Sequence, residues 1–245
     1  SVFGDMFGGA FGGGRRGAPR AQRGEDLKLD VTLTLEEAFA GKEVPVDYTR
    51  LDNCAECDGF GAAPGSARNC GGKGTVVEKP CSSCKGSGTK RVKENITVKI
   101  PSGVRTGVTL RVSNGGDIGT NGGGFGDLYV EVHVKEHKIF KRSGDDLLID
   151  APITYPQAVL GGSIKVPTIE GKEIEVTIPK GTQFGSVIKV QGNGMPRLGK
   201  KGFGDLLVNV KIEVIKKPTV RQKELLEELA KETGGKKSFL KELFS

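Results

Sequence analysis

Four cysteines carry the sharpest chemistry in this sequence. Cys54-Ala55-Glu56-Cys57-Asp58-Gly59-Phe60-Gly61 and Cys81-Ser82-Ser83-Cys84-Lys85-Gly86-Ser87-Gly88 share the pattern C-x-x-C-x-G-x-G. Two such knuckles supply four thiolates, the donor set that a closed, tetrahedral structural zinc site takes. Each knuckle has to turn sharply so that backbone amides face the sulfurs, and glycine tolerates the positive φ this requires. With four protein ligands no position remains for a metal-bound water, which argues against catalysis by the metal. Zinc binding of about 10–16 kcal/mol, as in zinc-finger peptides, would fold a segment too small to fold alone. Two other readings use the same residues: a thiol–disulfide exchange site, or plain free cysteines. The exchange site normally sits at a helix start in a βαβ unit, for which the flanking sequence gives no sign.

The fifth cysteine, Cys70, stands alone before Gly71-Gly72-Lys73-Gly74, like the tail of a third knuckle. Either a second metal site has been lost, or residues are absent between Cys70 and Gly71. An odd number of cysteines in one short window, arranged as C-x-x-C units, fits a metal site in a reducing compartment better than a disulfide framework.

The segments that must position these cysteines are repeated. Ile100-Pro101-Ser102-Gly103 recurs as Ile178-Pro179-Lys180-Gly181, and Gly124-Phe125-Gly126-Asp127-Leu128 as Gly202-Phe203-Gly204-Asp205-Leu206. Leu27, Asp30, Thr34, Ala38, Gly41 and Val46 recur as Leu147, Asp150, Thr154, Ala158, Gly161 and Val166. The second set is offset further than the first, so the first copy carries extra sequence between Val46 and Ile100, and every cysteine lies inside it. The expected fold is mainly β: two tandem β-sandwich-like domains of duplicated origin, with a cysteine-rich zinc insert in the first. The expected boundaries are 25–138 for the first domain, interrupted by the insert at 53–90, and 139–217 for the second.

Alternation of apolar and polar residues predicts strands at Leu27–Leu33, Ile174–Ile178 and Leu206–Ile212. Short helical turns are expected at Thr34 to Ala40 and Thr154 to Leu160, each opened by a threonine cap. Residues 1–24 set Phe3, Phe7 and Phe11 among glycines, followed by arginines, a composition that cannot bury a core. After Pro218, a helix capped by Thr219 is expected, with Leu225, Leu226 and Leu229 as an apolar stripe and Gly234-Gly235 as its stop.

Composition narrows the function classes. The chain is 36% hydrophobic and 27% charged, without tryptophan, which suits small modules better than one thick core. Its net charge is +7, with a pI near 9.1, which permits nucleic-acid binding. The lysines alternate with acids along strand-like segments, however, and the insert's only aromatic is Phe60, so a basic stripe with stacking aromatics is lacking. No stretch reaches the roughly 20 apolar residues of a membrane span, and no signal-peptide pattern opens the chain. A catalytic triad, paired acid–base site or phosphate-cradling loop is not found.

These knuckles, inserted in the first of two β repeats and preceded by a Gly/Phe-rich segment, resemble the DnaJ-type (J-domain) co-chaperones. Arg23-Gly24-Glu25-Asp26-Leu27, Leu35-Glu36-Glu37-Ala38, Phe140-Lys141-Arg142-Ser143-Gly144-Asp145-Asp146-Leu147 and Gly202-Phe203-Gly204-Asp205-Leu206 are similar to strings of that family. The family normally opens with a J-domain whose His-Pro-Asp loop stimulates ATP hydrolysis by DnaK. Neither His133 nor His137 sits in such a tripeptide, so the chain is expected to be a fragment lacking that module.

The resemblance implies a non-enzymatic, cytoplasmic co-chaperone that binds unfolded polypeptide, prevents its aggregation and delivers it to a DnaK-type chaperone. It implies that Cys54, Cys57, Cys81 and Cys84 bind one zinc ion together, with Cys70 the remnant of a second site. It implies a client groove at Leu27, Val46 and Tyr48, with Phe140 a neighbour, and a homodimer formed through Leu225, Leu226 and Leu229 in the segment 218–245. The same residues also admit plainer readings, as strand core and as a helix packed on its own domain. The competing function is a zinc-ribbon nucleic-acid binder, which steep salt dependence of binding would favour. Residues 236–245 have no assignment.

Overall fold

The computed structural model describes residues 21–63 and 79–233. Its elements follow the repeat. The first copy runs β1 (Leu27–Leu33), α1 (Leu35–Ala40), β2 (Lys42–Asn53), β3 (Thr89–Ile100), β4 (Val108–Val112) and β5 (Leu128–Val134). The second runs β6 (Phe140–Ser143), β7 (Asp146–Thr154), α2 (Tyr155–Leu160), β8 (Gly162–Pro167), β9 (Glu173–Ile178), β10 (Val187–Val190) and β11 (Leu206–Glu213). Helix α3 (Val220–Glu232) comes last. The mainly β fold, the two threonine-capped turns and the terminal helix all form where the sequence places them.

The chain divides into two compact units. The first holds the described residues up to Lys138 together with Met195–Gly202; the second holds Ile139–Gly194 and the chain from Phe203. In the first unit β5 pairs in parallel with β1 and antiparallel with β4, and β2 and β3 form a separate antiparallel ribbon of twelve facing pairs. Met195 is fully buried there, and the Cβ position of Gly103 would lie 2.1 Å from the Pro196 carbonyl oxygen, so only glycine fits at 103.

The second unit repeats this plan. Strand β11 pairs in parallel with β7 and antiparallel with β10, and β8 and β9 form a ribbon of six facing pairs. A five-residue turn, Thr168–Lys172, closes that ribbon, with the Thr168 amide and hydroxyl both donating to the Lys172 carbonyl. In the first unit the ribbon continues outward instead and carries the cysteine segment. One strand has no counterpart among the described residues: β6 lies antiparallel along the outer edge of β7.

The local reasons are visible in both copies. Thr34 and Thr154 open their helices in extended backbone and close reciprocal capping boxes with Glu37 and Gln157. Alternate residues of β5 (Leu128, Val130, Val132) and of β11 (Leu206, Val208, Val210) are fully buried, so these central strands are the spine of each core.

Candidate functional site: a cysteine centre and an open strand edge

The twelve-residue ribbon delivers Asn53 and Thr89 side by side, and the two knuckles are built onto that end. They are related by an approximate twofold pattern. In each, the second cysteine's carbonyl accepts from the amide three residues on, Phe60 in one and Ser87 in the other. Asp58, Gly59 and Gly61 have positive φ in the first knuckle, and Lys85, Gly86 and Gly88 in the second. The knuckles brace one another: the Cys54 amide donates to the Gly88 carbonyl and the Cys81 amide to the Gly61 carbonyl, both at 2.9 Å. A Cβ on Gly61 would lie 2.4 Å from the Gly86 oxygen, and one on Gly88 2.4 Å from the Gly59 oxygen. The glycines are therefore fixed by close approach as well as by φ.

The four cysteines are buried and their sulfurs lie within 4.8 Å of one another. Cys54 and Cys81 are separated by 3.9 Å between sulfurs, and Cys57 and Cys84 by 3.7 Å. A disulfide needs about 2.05 Å, so these are not bridged pairs. A tetrahedron with zinc–sulfur bonds of about 2.3 Å has edges near 3.8 Å, which matches both separations.

The amides of Gly61 and Gly88 donate to Cys57 Sγ and Cys84 Sγ, each at 3.3 Å. Burial pushes the Cys57 thiol up to about 11, against the pull of the Gly61 amide. At Cys84 burial pushes the same way, but the Gly88 and Gly86 amides and the neighbouring thiols outweigh it and bring the group down to about 7. The donor set fits a closed four-sulfur metal centre. Cys70 lies outside the described residues.

Three of the expected groove residues, Leu27, Val46 and Tyr48, fall on apolar strand faces of the first unit. Leu27 and Leu29 are half-buried on β1, ahead of the buried Val31 and Leu33. On β2, Val44 and Val46 are half-buried and share a face with Ile96 and Val98, their partners on β3. Tyr48 is on that face too but is 7% exposed, drier than a tyrosine at a wet surface. Burial is also what chiefly raises its phenol pKa. An open cavity of about 460 Å³ lies beside it, lined by Asp47, Thr49, Lys93, Glu94 and Asn95. Strand alternation alone would have added Leu29, Val44 and Ile96 to the groove residues.

Phe140 is in the second unit, 4% exposed, on β6 opposite Ile149 of β7. Leu225, Leu226 and Leu229 are 48%, 48% and 42% exposed on α3, a helix that buries none of its residues.

Arg50, unremarked in the sequence, pins the ribbon where it turns toward the cysteines. Its guanidinium donates to the Asn114 carbonyl, Asp52 and Glu94 at 3.0–3.1 Å and stacks 4.5 Å above the Phe125 ring. The next residue joins the same loop, since the Leu51 amide donates to Asp117 and its carbonyl accepts from the Ile118 amide. No described helix is long and apolar enough to cross a membrane.

Comparison with known proteins agrees with this architecture. The DnaJ C terminal domain family matches residues 27–214. The "Chaperone protein DnaJ" of Leptospira biflexa is 41% identical over 241 aligned positions covering 88% of this chain, so that relative carries residues which this chain lacks. That of Methanothermobacter thermautotrophicus is 42% identical over 94% of the chain, and "Chaperone protein DnaJ 2" of Aquifex aeolicus 44% identical over 87%. The chain spans 64%, 68% and 63% of the length of these three relatives.

Proposed function

The chain belongs to the DnaJ C-terminal domain family, and from that premise we propose that it holds unfolded or misfolded polypeptide in the cytoplasm, keeps it from aggregating and delivers it to a DnaK-type chaperone. It acts by binding, not by catalysis. One observation carries the holding role: Leu27, Leu29 and Val46 stay half-exposed, while their equivalents Leu147, Ile149 and Val166 are 0%, 5% and 2% exposed. Among the described residues no strand pairs with the outer edge of β1, nor with the edge of β2 away from β3. An extended client can add as a strand at such an edge and place one large apolar side chain among Leu27, Leu29, Val46 and Tyr48.

Cys54, Cys57, Cys81 and Cys84 hold one structural zinc in this proposal. The sulfur spacing, the burial and the amides aimed at Cys57 and Cys84 support that assignment. The ion supplies folding energy to the insert, and its four-thiolate shell leaves no site for a reacting water. The exposed leucine stripe of α3 supports homodimerisation, which would give two client sites and avidity for a long unfolded chain.

The test is suppression of aggregation of a chemically unfolded protein by the parent, by a Val46→Ser, Tyr48→Ser variant and by a Leu27→Ser, Val46→Ser variant that spares the buried tyrosine. Zinc content and melting temperature are checked for each. The expected result is suppression by the parent and little by either folded variant. No suppression by the parent would end the holding proposal, and equal suppression by all three would move the client site elsewhere.

A further inference from the structure

The face of β1 and β5 opposite Leu27 and Leu29 holds a second group of metal-ligating side chains. Asp30 and Glu131 stand directly across from one another in the parallel register, and His133 is two residues further along β5, opposite Thr32. His133 Nε2 lies 3.4 Å from Asp30 Oδ1 and 3.7 Å from Glu131 Oε1, and the three donor atoms converge within 4.8 Å. These separations are too long for good hydrogen bonds. They are close to the edge of about 3.4 Å expected for a tetrahedron of nitrogen and oxygen donors around a metal at about 2.1 Å. The other carboxylate oxygen of Glu131 is held by Lys28 Nζ at 2.5 Å, which orients the group and leaves Oε1 turned toward the imidazole.

The second copy supplies an internal control. At the equivalent of Asp30, Asp150 accepts from Asn209 Nδ2 at 2.6 Å and pairs with Lys211 Nζ at 3.0 Å. Asn209 and Lys211 occupy the places of Glu131 and His133. That copy neutralises its acid with its own side chains. The first copy instead opposes two carboxylates across one register position, with Lys28 paired directly to Glu131 and acting on Asp30 only from further away.

We propose that Asp30, Glu131 and His133 form a binding site for a divalent transition-metal ion of the zinc, cobalt or nickel class, independent of the cysteine centre. One imidazole and two carboxylates suit such ions, and three protein donors leave the remaining positions to water. The ion would tie β1 to β5 on the face away from the client groove.

The experiment uses the full chain with its cysteine centre loaded with zinc, titrated with nickel and followed by amide NMR and by calorimetry. Paramagnetic broadening should centre on residues 28–32 and 129–134. His133→Ala should weaken this binding by more than about tenfold, and Glu131→Gln likewise. His137→Ala, which removes the imidazole beside Glu36, should leave it unchanged. Broadening centred elsewhere, no binding by the parent, or a His133→Ala titration matching the parent would overturn the proposal. Because the broadening map is read on the parent, the result does not depend on the variants folding.

Discussion

In the second copy of the repeat β6 lies along β7 with Phe140 opposite Ile149, and Leu147, Ile149 and Val166 are shut away from water. In the first copy the matching edge of β1 has no strand beside it among the described residues, and Leu27, Leu29 and Val46 are half-exposed. The central strands do not differ in this way: Leu128, Val130 and Val132 are as dry as Leu206, Val208 and Val210. The same architecture can therefore close these positions, and their exposure in the first copy is not imposed by the fold. The ribbons differ too. A short turn closes β8 and β9, whereas β2 and β3 run twice as far and end in the cysteine knuckles. Among the described residues, one copy covers this apolar edge with a strand, and the other leaves it open and extends its ribbon.

The largest expected effect separates the extended ribbon from the short one. On the proposed zinc assignment, a strong chelator, or a Cys54→Ser, Cys81→Ser variant, would withdraw about 10–16 kcal/mol of metal binding from the insert. Amide exchange should accelerate sharply between Asn53 and Thr89 and remain unchanged in β11. Unaltered exchange in the knuckles would mean that they fold without metal.

The next effect separates closed from open apolar positions. Leu147→Ala should cost about 2–5 kcal/mol in denaturant unfolding, as for a fully buried leucine. Leu27→Ala should cost less, because its side chain is only partly withdrawn from water. Equal costs would break the comparison between the copies.

The smallest effect should not separate them at all. Thr34→Ala and Thr154→Ala remove the same capping box, and each should cost about 1 kcal/mol, measured by the same unfolding curves. A marked inequality would show that the two helices carry different loads.

What could be read from the sequence was local or repeated. The knuckle spacing located the four-sulfur cluster because each C-x-x-C turn closes on itself, and the amide–sulfur contacts span only four residues. Thr34 and Thr154 announced their helices because a cap acts within three residues. The duplication placed the insert where the first ribbon outgrows the second. Exposure of the groove was not legible in the same way. Leu27 and Leu147 look alike in sequence, and what separates them is the neighbouring edge, which in the second copy the hairpin partner β6 occupies and which no strand occupies among the described residues of the first. Tyr48 is drier than its residue type implied for the same reason, because burial depends on what packs over the ribbon. Arg50 was missed because its partners Asn114 and Phe125 lie more than sixty residues away in sequence.

The most direct test of the open first copy as the client site is amide NMR of the zinc-loaded chain titrated with a permanently unfolded polypeptide. Perturbations should concentrate at Leu27, Leu29, Val46 and Tyr48 and the strands that carry them, with Leu147, Ile149 and Val166 silent. Perturbations concentrated on β7 and β8, or confined to α3, would contradict it.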